Sequence, residues 1–268
     1  MTVKFDDDAR QRMANEYRET DFKYDGTPIR EMVVKRIPAK QARKYIASFH
    51  YSRTMPDSTR YAYAGYLNGK LCGVICYGMG CGKSQYTSLI PDIENGTYLE
   101  LTRLWCANDY PRNTESKLIA ESLKLLPPEI KLVLSFADEG EGHCGIIYQA
   151  TNWLYCGKNS GGKMLMCEDG LKKHPRLLGI YRQRHPEYKR YTNDELMNLL
   201  GYQYVGGGRK FRYVYLRGSK RERRELCGML DGKIQPYPKM GKKQDKKDEL
   251  TMLEESSADM SAEQPTLF

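Results

Sequence analysis

The stretch Leu132–Tyr155, LVLSFADEGEGHCGIIYQATNWLY, constrains this chain more than any other. An apolar run from Leu132 to Phe136 lies between Pro127-Pro128 and a Gly/Asp/Glu cluster, and is too short for a free-standing helix. That pattern predicts a buried strand. The strand ends at Ser135 and Asp138, and a loop with His143 follows. Ile146, Ile147, Ala150, Trp153 and Leu154 then recur at helical spacing. A strand tip that delivers Ser, Asp and His and feeds a helix is where α/β enzymes place chemistry. Asp138 acting only as the cap of that helix is the competing expectation.

The rest of the chain supplies a mixed set of elements. Glu31–Ile37 reads as a first strand, and Ala42, Tyr45, Ile46 and Phe49 share one face of a helix that runs into His50-Tyr51-Ser52-Arg53. A helix C-terminus there favours a cationic imidazole. Tyr61–Leu67 and Leu71–Tyr77 flank Asn68-Gly69. Two residues tolerant of positive φ make this a type I′ hairpin. Gly78-Met-Gly-Cys-Gly-Lys-Ser84 imitates a phosphate loop, but Tyr77 stands where the first glycine is needed and no helical pattern follows. Thr97–Cys106 is a further strand. Leu118, Ile119, Ser122, Leu123 and Leu126 mark a helix capped at Asn113 or Thr114, whose first amides are open to an anion. Strand, helix, hairpin, strand, helix, strand, helix is the succession of a GNAT-like (N-acetyltransferase-like) fold. The expected class is therefore α/β (α+β), a mixed central sheet flanked by helices.

Charge and cysteine usage narrow the partners. Net charge is +9, but Gly241–Phe268 has four Lys against seven Asp/Glu, leaving residues 1–240 at +12. A basic, tyrosine-rich body fits a polyanion such as nucleic acid. From Arg209 to Arg224 there are eight Lys/Arg and only Glu222 against them, interleaved with Phe211, Tyr213 and Tyr215. This extension is the expected grip on phosphates. Residues 157–192 read as basic loops. Tyr202–Val205 and Lys210–Arg217 are expected to pair as a closing hairpin around Gly206–Gly208. No apolar run reaches about 18 residues, and no apolar leader opens the chain. The eight cysteines form no C-x-x-C pair, so reduced, buried thiols in a cytoplasm are expected rather than a zinc site.

Three regions follow: a polar segment 1–29, a body 30–240 and a tail 241–268 whose composition predicts disorder. The tail ends in Gln264-Pro-Thr-Leu-Phe268. This resembles the Q-x-x-L-F peptide with which bacterial replication proteins dock on the β sliding clamp, with Pro265 where Leu is usual.

One resemblance gathers these features. His50-Tyr51-Ser52, Glu100-Leu-Thr-Arg-Leu-Trp105, Asn113 with Ser116, and Ser135-Phe-Ala-Asp138 with Gly142-His143 carry it. So do Ile147-Tyr-Gln-Ala-Thr-Asn-Trp153, Arg212-Tyr213 and Pro236-Tyr-Pro-Lys239. The chain resembles, over residues 30–240, the Mom family of phage DNA-modification proteins. These convert adenine in duplex DNA to N6-(methylcarbamoyl)adenine and protect it from restriction. Phe136 and Glu139-Gly-Glu depart from the family pattern.

The resemblance implies a phage- or prophage-encoded enzyme of the bacterial cytoplasm acting on double-stranded DNA. It places His50, Tyr51, Ser135, Asp138 and Tyr148 in the catalytic centre and Arg103, Asn113 and Ser116 on the side of an acetyl-CoA or related acyl-CoA. Plain attack on a thioester would yield an acetamide, whereas the family product joins nitrogen to a methylene. Iron is therefore implied, with His50, Tyr51, Asp138 and His143 as its candidate ligands. Asp138 as general base and Tyr148 as proton relay or base platform are the rival roles. Trp153 and Ile146 are expected in the core. The base must be flipped out of the duplex, which Arg209, Lys210, Arg212, Arg217, Lys220 and Arg221 would hold. A conventional GNAT acetyltransferase of proteins or small amines and a non-enzymatic DNA-binding module are the alternatives.

Overall fold

A computed structural model describes residues 22–239 except 160, 168, 169 and 171. The expectations for residues 1–21 and for the tail from Met240, including the Gln264–Phe268 peptide, lie outside the described residues. The chain divides into Met1–Pro236 and Tyr237–Phe268, and the fold below is that of the first unit.

Seven strands form the main sheet in the order β1-β2-β3-β4-β5-β10-β6. They are β1 (Val33–Arg36), β2 (Thr59–Leu67), β3 (Lys70–Gly78), β4 (Tyr98–Cys106), β5 (Leu132–Asp138), β6 (Leu154–Asn159) and β10 (Lys210–Leu216). Asn68 and Gly69 both take positive φ, 46° and 75°, and close the β2–β3 hairpin as expected. All pairings are antiparallel except β4 with β5. That parallel pair has three rungs, Tyr98–Glu100 beside Leu132–Leu134, and beyond them the strands part. On its other side β4 stays paired with β3 as far as Cys106. The sheet therefore opens between Leu101–Cys106 and Ser135–Asp138.

Alternation along the strands gives the sheet two different faces. Leu99, Leu101, Val133 and Ala137 pack with α1 (Ala39–Phe49), α3 (Thr114–Leu125) and the one-turn α4 (Ile146–Gln149). Apolar residues at helical spacing anchor these helices: Ala42 and Ile46 on α1, Leu118, Ile119 and Leu123 on α3. Burying each such Leu or Ile contributes about 1.5–3 kcal/mol, and Leu118→Ala would cost about 2–5 kcal/mol. The opposite face carries Tyr98, Leu132, Leu134, Val214 and Leu216. It packs on Tyr86 of the short α2 (Ser84–Thr87), on Leu89 and Ile90 just after it, and on Leu230 after α7 (Lys220–Met229).

Between β6 and β10 the chain builds a second, smaller sheet, β8-β7-β9. Its strands are β7 (Lys163–Met166), β8 (Lys172–Lys173) and β9 (Gln203–Gly206), with α5 (Arg176–Arg184) and α6 (Asn193–Leu199) alongside. This insertion has its own core of Leu165, Leu178, Tyr181, Tyr188, Leu196 and Met197.

Five expectations need correction. The stretch around Gly206–Gly208 is no hairpin turn: β9 pairs with β7, β10 pairs with β5 and β6, and the glycines join two collinear strands. Residues 157–192 are basic as expected but not mainly loop: they hold two strands and a helix of the insertion. A helix does follow the Gly78–Ser84 loop, although it has a single turn. The helix after Gly145 also stops after one turn, because Asn152 takes a left-handed φ of 61° and Leu154 already begins β6. Trp153 is consequently buried, whereas Ile146, expected in the core, is 56% exposed. All eight cysteines are free thiols. Among the described residues no helix is long and apolar enough to cross a membrane.

Candidate active site

The opening in the sheet collects the polar side chains that the core excludes. Ser135 is buried on β5, with its hydroxyl 3.1 Å from the Leu101 carbonyl oxygen and 2.9 Å from the Tyr148 hydroxyl. It therefore bridges the two parting strands and holds the phenol. Tyr148 lies between Trp153 and Tyr213, at 5.1 Å ring separation from each. Burial pushes its hydroxyl up to about 12, so it keeps its proton, which is free for a further acceptor when the Ser135 hydroxyl donates to the phenol. Gly145 makes this packing possible: φ is +83°, and a Cβ there would fall 2.3 Å from the Tyr213 ring.

His50 follows the last turn of α1 and is 8% exposed. Its Nδ1 accepts the Ser52 amide at 3.1 Å, which leaves the proton of the neutral ring on Nε2. Burial first, then the charges of Arg103 and His143, hold its pKa down to about 3. The cationic imidazole expected at a helix C-terminus is thus overruled by desolvation. Tyr51 stacks on His50 at 4.3 Å and is 59% exposed. Arg103 donates to the Thr54 carbonyl through Nε at 2.6 Å and to the Thr54 hydroxyl through a terminal nitrogen at 3.3 Å. Its guanidinium ties β4 to the loop after α1.

Glu100 was not singled out by sequence reasoning, although it lies in one of the resemblance motifs. It is the last β4 residue paired with β5, at the base of the opening. Its Oε2 is buried and has no hydrogen-bond partner among the described residues. Gly80 covers it so closely that a Cβ there would stand 2.6 Å from the carboxylate. Burial raises its pKa, while the Cys81 thiol and amide, Arg103 and Lys210 favour the charged form. The available signal was positional: a carboxylate between Leu99 and Leu101 on a central strand has no solvent face to turn to.

Asp138 leaves β5 on the face of Leu134 rather than of Ser135. Its Oδ1 accepts the Gly140 amide at 3.0 Å, capping the 3-10 turn Glu139–Glu141, and its Oδ2 lies 3.2 Å from Lys210 Nζ. The His143 amide donates to the Asp138 backbone carbonyl at 3.1 Å, and the His143 side chain is exposed. The expected iron ligands are therefore not gathered. The His50 Nδ1 lone pair and both Asp138 oxygens are already engaged. Among the described residues no three His, Cys, Asp or Glu side chains converge as a metal would need. As arranged, this donor set does not fit iron.

A cleft of about 670 Å³ runs along α3 on the Ser135 side of the sheet, bordered by Asn113, Ser116, Lys117, Thr151, Arg217 and Arg223. Asn113 precedes α3 with φ 74° and no side-chain cap; the Thr114 amide donates to the Pro111 carbonyl at 3.3 Å, and the next amides of the first turn face an incoming anion. The polar, cationic wall fits a phosphate-bearing ligand of elongated shape. Asn113 and Ser116 border this cleft, and Arg103 does not.

Five of the six cations expected on DNA have partners inside the protein. Arg209 lies 3.3 Å from Glu139, Lys210 pairs with Asp138, and Arg221 pairs with Glu225 at 2.9 Å. Arg212 donates to the Cys156 carbonyl and to Ser88. Arg217 donates to the carbonyls of Leu126, Pro127 and Ile130 at 2.7–2.8 Å, bracing the turn before β5. Lys220 opens α7.

With this geometry in place, comparison with known proteins gives the family. The Mom protein family matches residues 31–239. This chain belongs to the Mom protein family. A relative within it, the methylcarbamoylase Mom of Escherichia phage Mu, is 31% identical over 216 residues, covering 78% of this chain and 85% of the relative. Solved structures with a similar course include an aminoglycoside acetyltransferase in complex with coenzyme A. It has TM-score 0.40 and 11% identity, with 69% of this chain and 95% of that one covered. An N-acetyltransferase from Staphylococcus aureus has TM-score 0.39 and 7% identity, with 69% and 97% covered.

Proposed function

We propose that this chain converts adenine in duplex DNA to N6-(methylcarbamoyl)adenine and thereby shields phage DNA from restriction. Membership of the Mom family together with the phage Mu relative supports the reaction. The single structural observation that carries it is the opening between β4 and β5. One side holds a proton-bearing tyrosine and the other a buried, incompletely paired carboxylate.

The amino group of adenine is a weak nucleophile because its lone pair is delocalised into the ring. As N6 bonds to the methylene carbon, one N–H bond breaks and the leaving group departs the donor with its bonding pair. The released proton needs an acceptor beside N6. Glu100 suits that role: burial makes it hold a proton more tightly than an exposed carboxylate does. Asp138 and Lys210 flank the mouth on the same face and would orient the extruded base. From the other face Tyr148, fixed by Ser135, would donate to a donor oxygen, and neutral His50 would present its Nε2–H. Tyr51 is exposed enough to stack on the base. The polar, cationic α3 cleft suits the phosphates of an acyl-coenzyme A, held by Asn113, Ser116 and Lys117; attack on its thioester carbonyl would give the acetamide of the rival reaction, so the methylene step requires a donor whose leaving group sits on that methylene carbon.

The rival is ordinary acetyl transfer to a protein or small amine. Incubating duplex DNA with purified protein, acetyl-CoA and a host extract, then digesting to nucleosides, separates the two. We expect a deoxyadenosine carrying a carbamoylmethyl group on N6. Acetylated amines with unmodified deoxyadenosine would overturn the assignment.

A further inference from the structure

The insertion between β6 and β10 is unaccounted for by the chemistry above, and its position and charge are specific. β6 runs into β7, and β9 runs into β10, so the insertion sits at the far end of one long two-stranded ribbon. Glycines occupy the crossing because the two backbones nearly touch. The Gly207 amide donates to the Gly162 carbonyl at 2.6 Å, and a Cβ on Gly161 would fall 2.0 Å from the Gly207 carbonyl oxygen. The next residue, Gly208, packs beside Asp138, with its Cβ position 3.1 Å from Oδ1. The insertion is thereby anchored at the mouth of the opening, on the face where Glu100 and Asp138 stand. Its separate core lets it present a surface of its own.

Across residues 160–208 eight Lys/Arg stand against five Asp/Glu, and the excess is concentrated in one stretch. Residues 172–190 contain seven Lys/Arg and one acidic residue, Glu187, whose carboxylate lies 3.5 Å from His185. Lys172, Arg176 and Lys189 are exposed and Lys173 half-buried. None of the four pairs with an acidic side chain among the described residues. The hairpin cations Arg209, Lys210, Arg212 and Arg217 differ, each engaged inside the protein. Tyr191 beneath Arg190 and the half-open Tyr204 beneath Lys163 add aromatic faces among the charges.

We infer that this insertion is an arm that holds the phosphate backbone of duplex DNA across the mouth of the site, with Lys172, Lys173, Arg176 and Lys189 as its contacts. The inference rests on DNA being the substrate and moves the principal grip away from the C-terminal hairpin. Each phosphate contact contributes about 0.9 to the slope of log K against log salt. The variant K172A/K173A/R176A/K189A should therefore lower that slope by about 3–4. Affinity for an unmodified 20–30 base-pair duplex should fall about 10- to 100-fold near 0.15 M salt. A charge-retaining K172R/K173R/R176K/K189R chain should bind as the parent does. Matching melting temperatures for the full-length proteins check folding. Unchanged affinity and slope in the neutralised chain, with the parent binding DNA, would overturn the arm alone. Parent protein that shows no salt-dependent duplex binding would overturn the DNA reading and the arm with it.

Discussion

Ser135 and Asp138 stand on the same strand, yet their side chains leave opposite faces of the sheet. The Ser135 face is a closed aromatic network. Tyr148, Tyr213 and Trp153 pack around one hydroxyl bridge, and the α3 cleft runs alongside. The Asp138 face is ionic: Lys210, Glu100 and the Glu139 loop meet there, and the insertion attaches beside them. Since the strands part between these faces, two reactants can approach one gap from opposite sides. The aromatic face is the donor side, and the ionic face receives the base.

Substitutions on the two faces should therefore fail differently. The largest effect belongs to Glu100→Gln, which removes the proton acceptor and should lower turnover about 10²- to 10⁴-fold. It should also raise stability by about 1 kcal/mol by removing a poorly paired buried carboxylate. Single-turnover kinetics with a melting curve reads both. Tyr148→Phe on the donor side should cost turnover about 100-fold while duplex affinity stays at the parental value, measured by titration at fixed salt. Equal loss of DNA affinity would erase the division between the faces. In the cleft, the pair Ser116→Ala and Lys117→Ala should weaken binding of coenzyme A, used as the calorimetric probe, about tenfold, with duplex affinity unchanged.

The smallest effect is on pH-dependent stability. The unfolded chain protonates His50 near 6.5, whereas the folded protein refuses that proton until about pH 3. Stability from this site is complete above the unfolded value and is lost as pH falls towards the folded one, about 2 kcal/mol by pH 5. Glu100, whose pKa is raised, works in the opposite sense and is present in both chains compared. Denaturant melts of the parent and His50→Gln between pH 5 and 7 should show a shallower loss in the variant.

Much of the main sheet was legible because its signals are local. Asn68-Gly69 dictates its own turn, and the apolar spacing of Leu118, Ile119 and Leu123 dictates the helix after β4. The insertion was hidden because β7 and β9 are four residues each and their partners lie some forty residues apart in sequence. At the site, residue identity was readable, but orientation was not. Nothing in Ser-Phe-Ala-Asp says that the last rung between β4 and β5 falls at Leu134, which makes Ser135 a bridge across the gap. The aspartate's engagement by Lys210 arises across strands, and so does the carbonyl cage around Arg217. Glu100 became conspicuous only once both neighbouring strands and Gly80 closed over it.

The most direct test is nucleoside mass spectrometry of DNA from bacteria expressing the parent chain or the Glu100→Gln chain at matched soluble levels. A deoxyadenosine heavier by one carbamoylmethyl group is expected in the first culture and is lost in the second. Undiminished modification in the Glu100→Gln culture would contradict the two-faced site, and unmodified DNA from the parent would contradict the reaction itself.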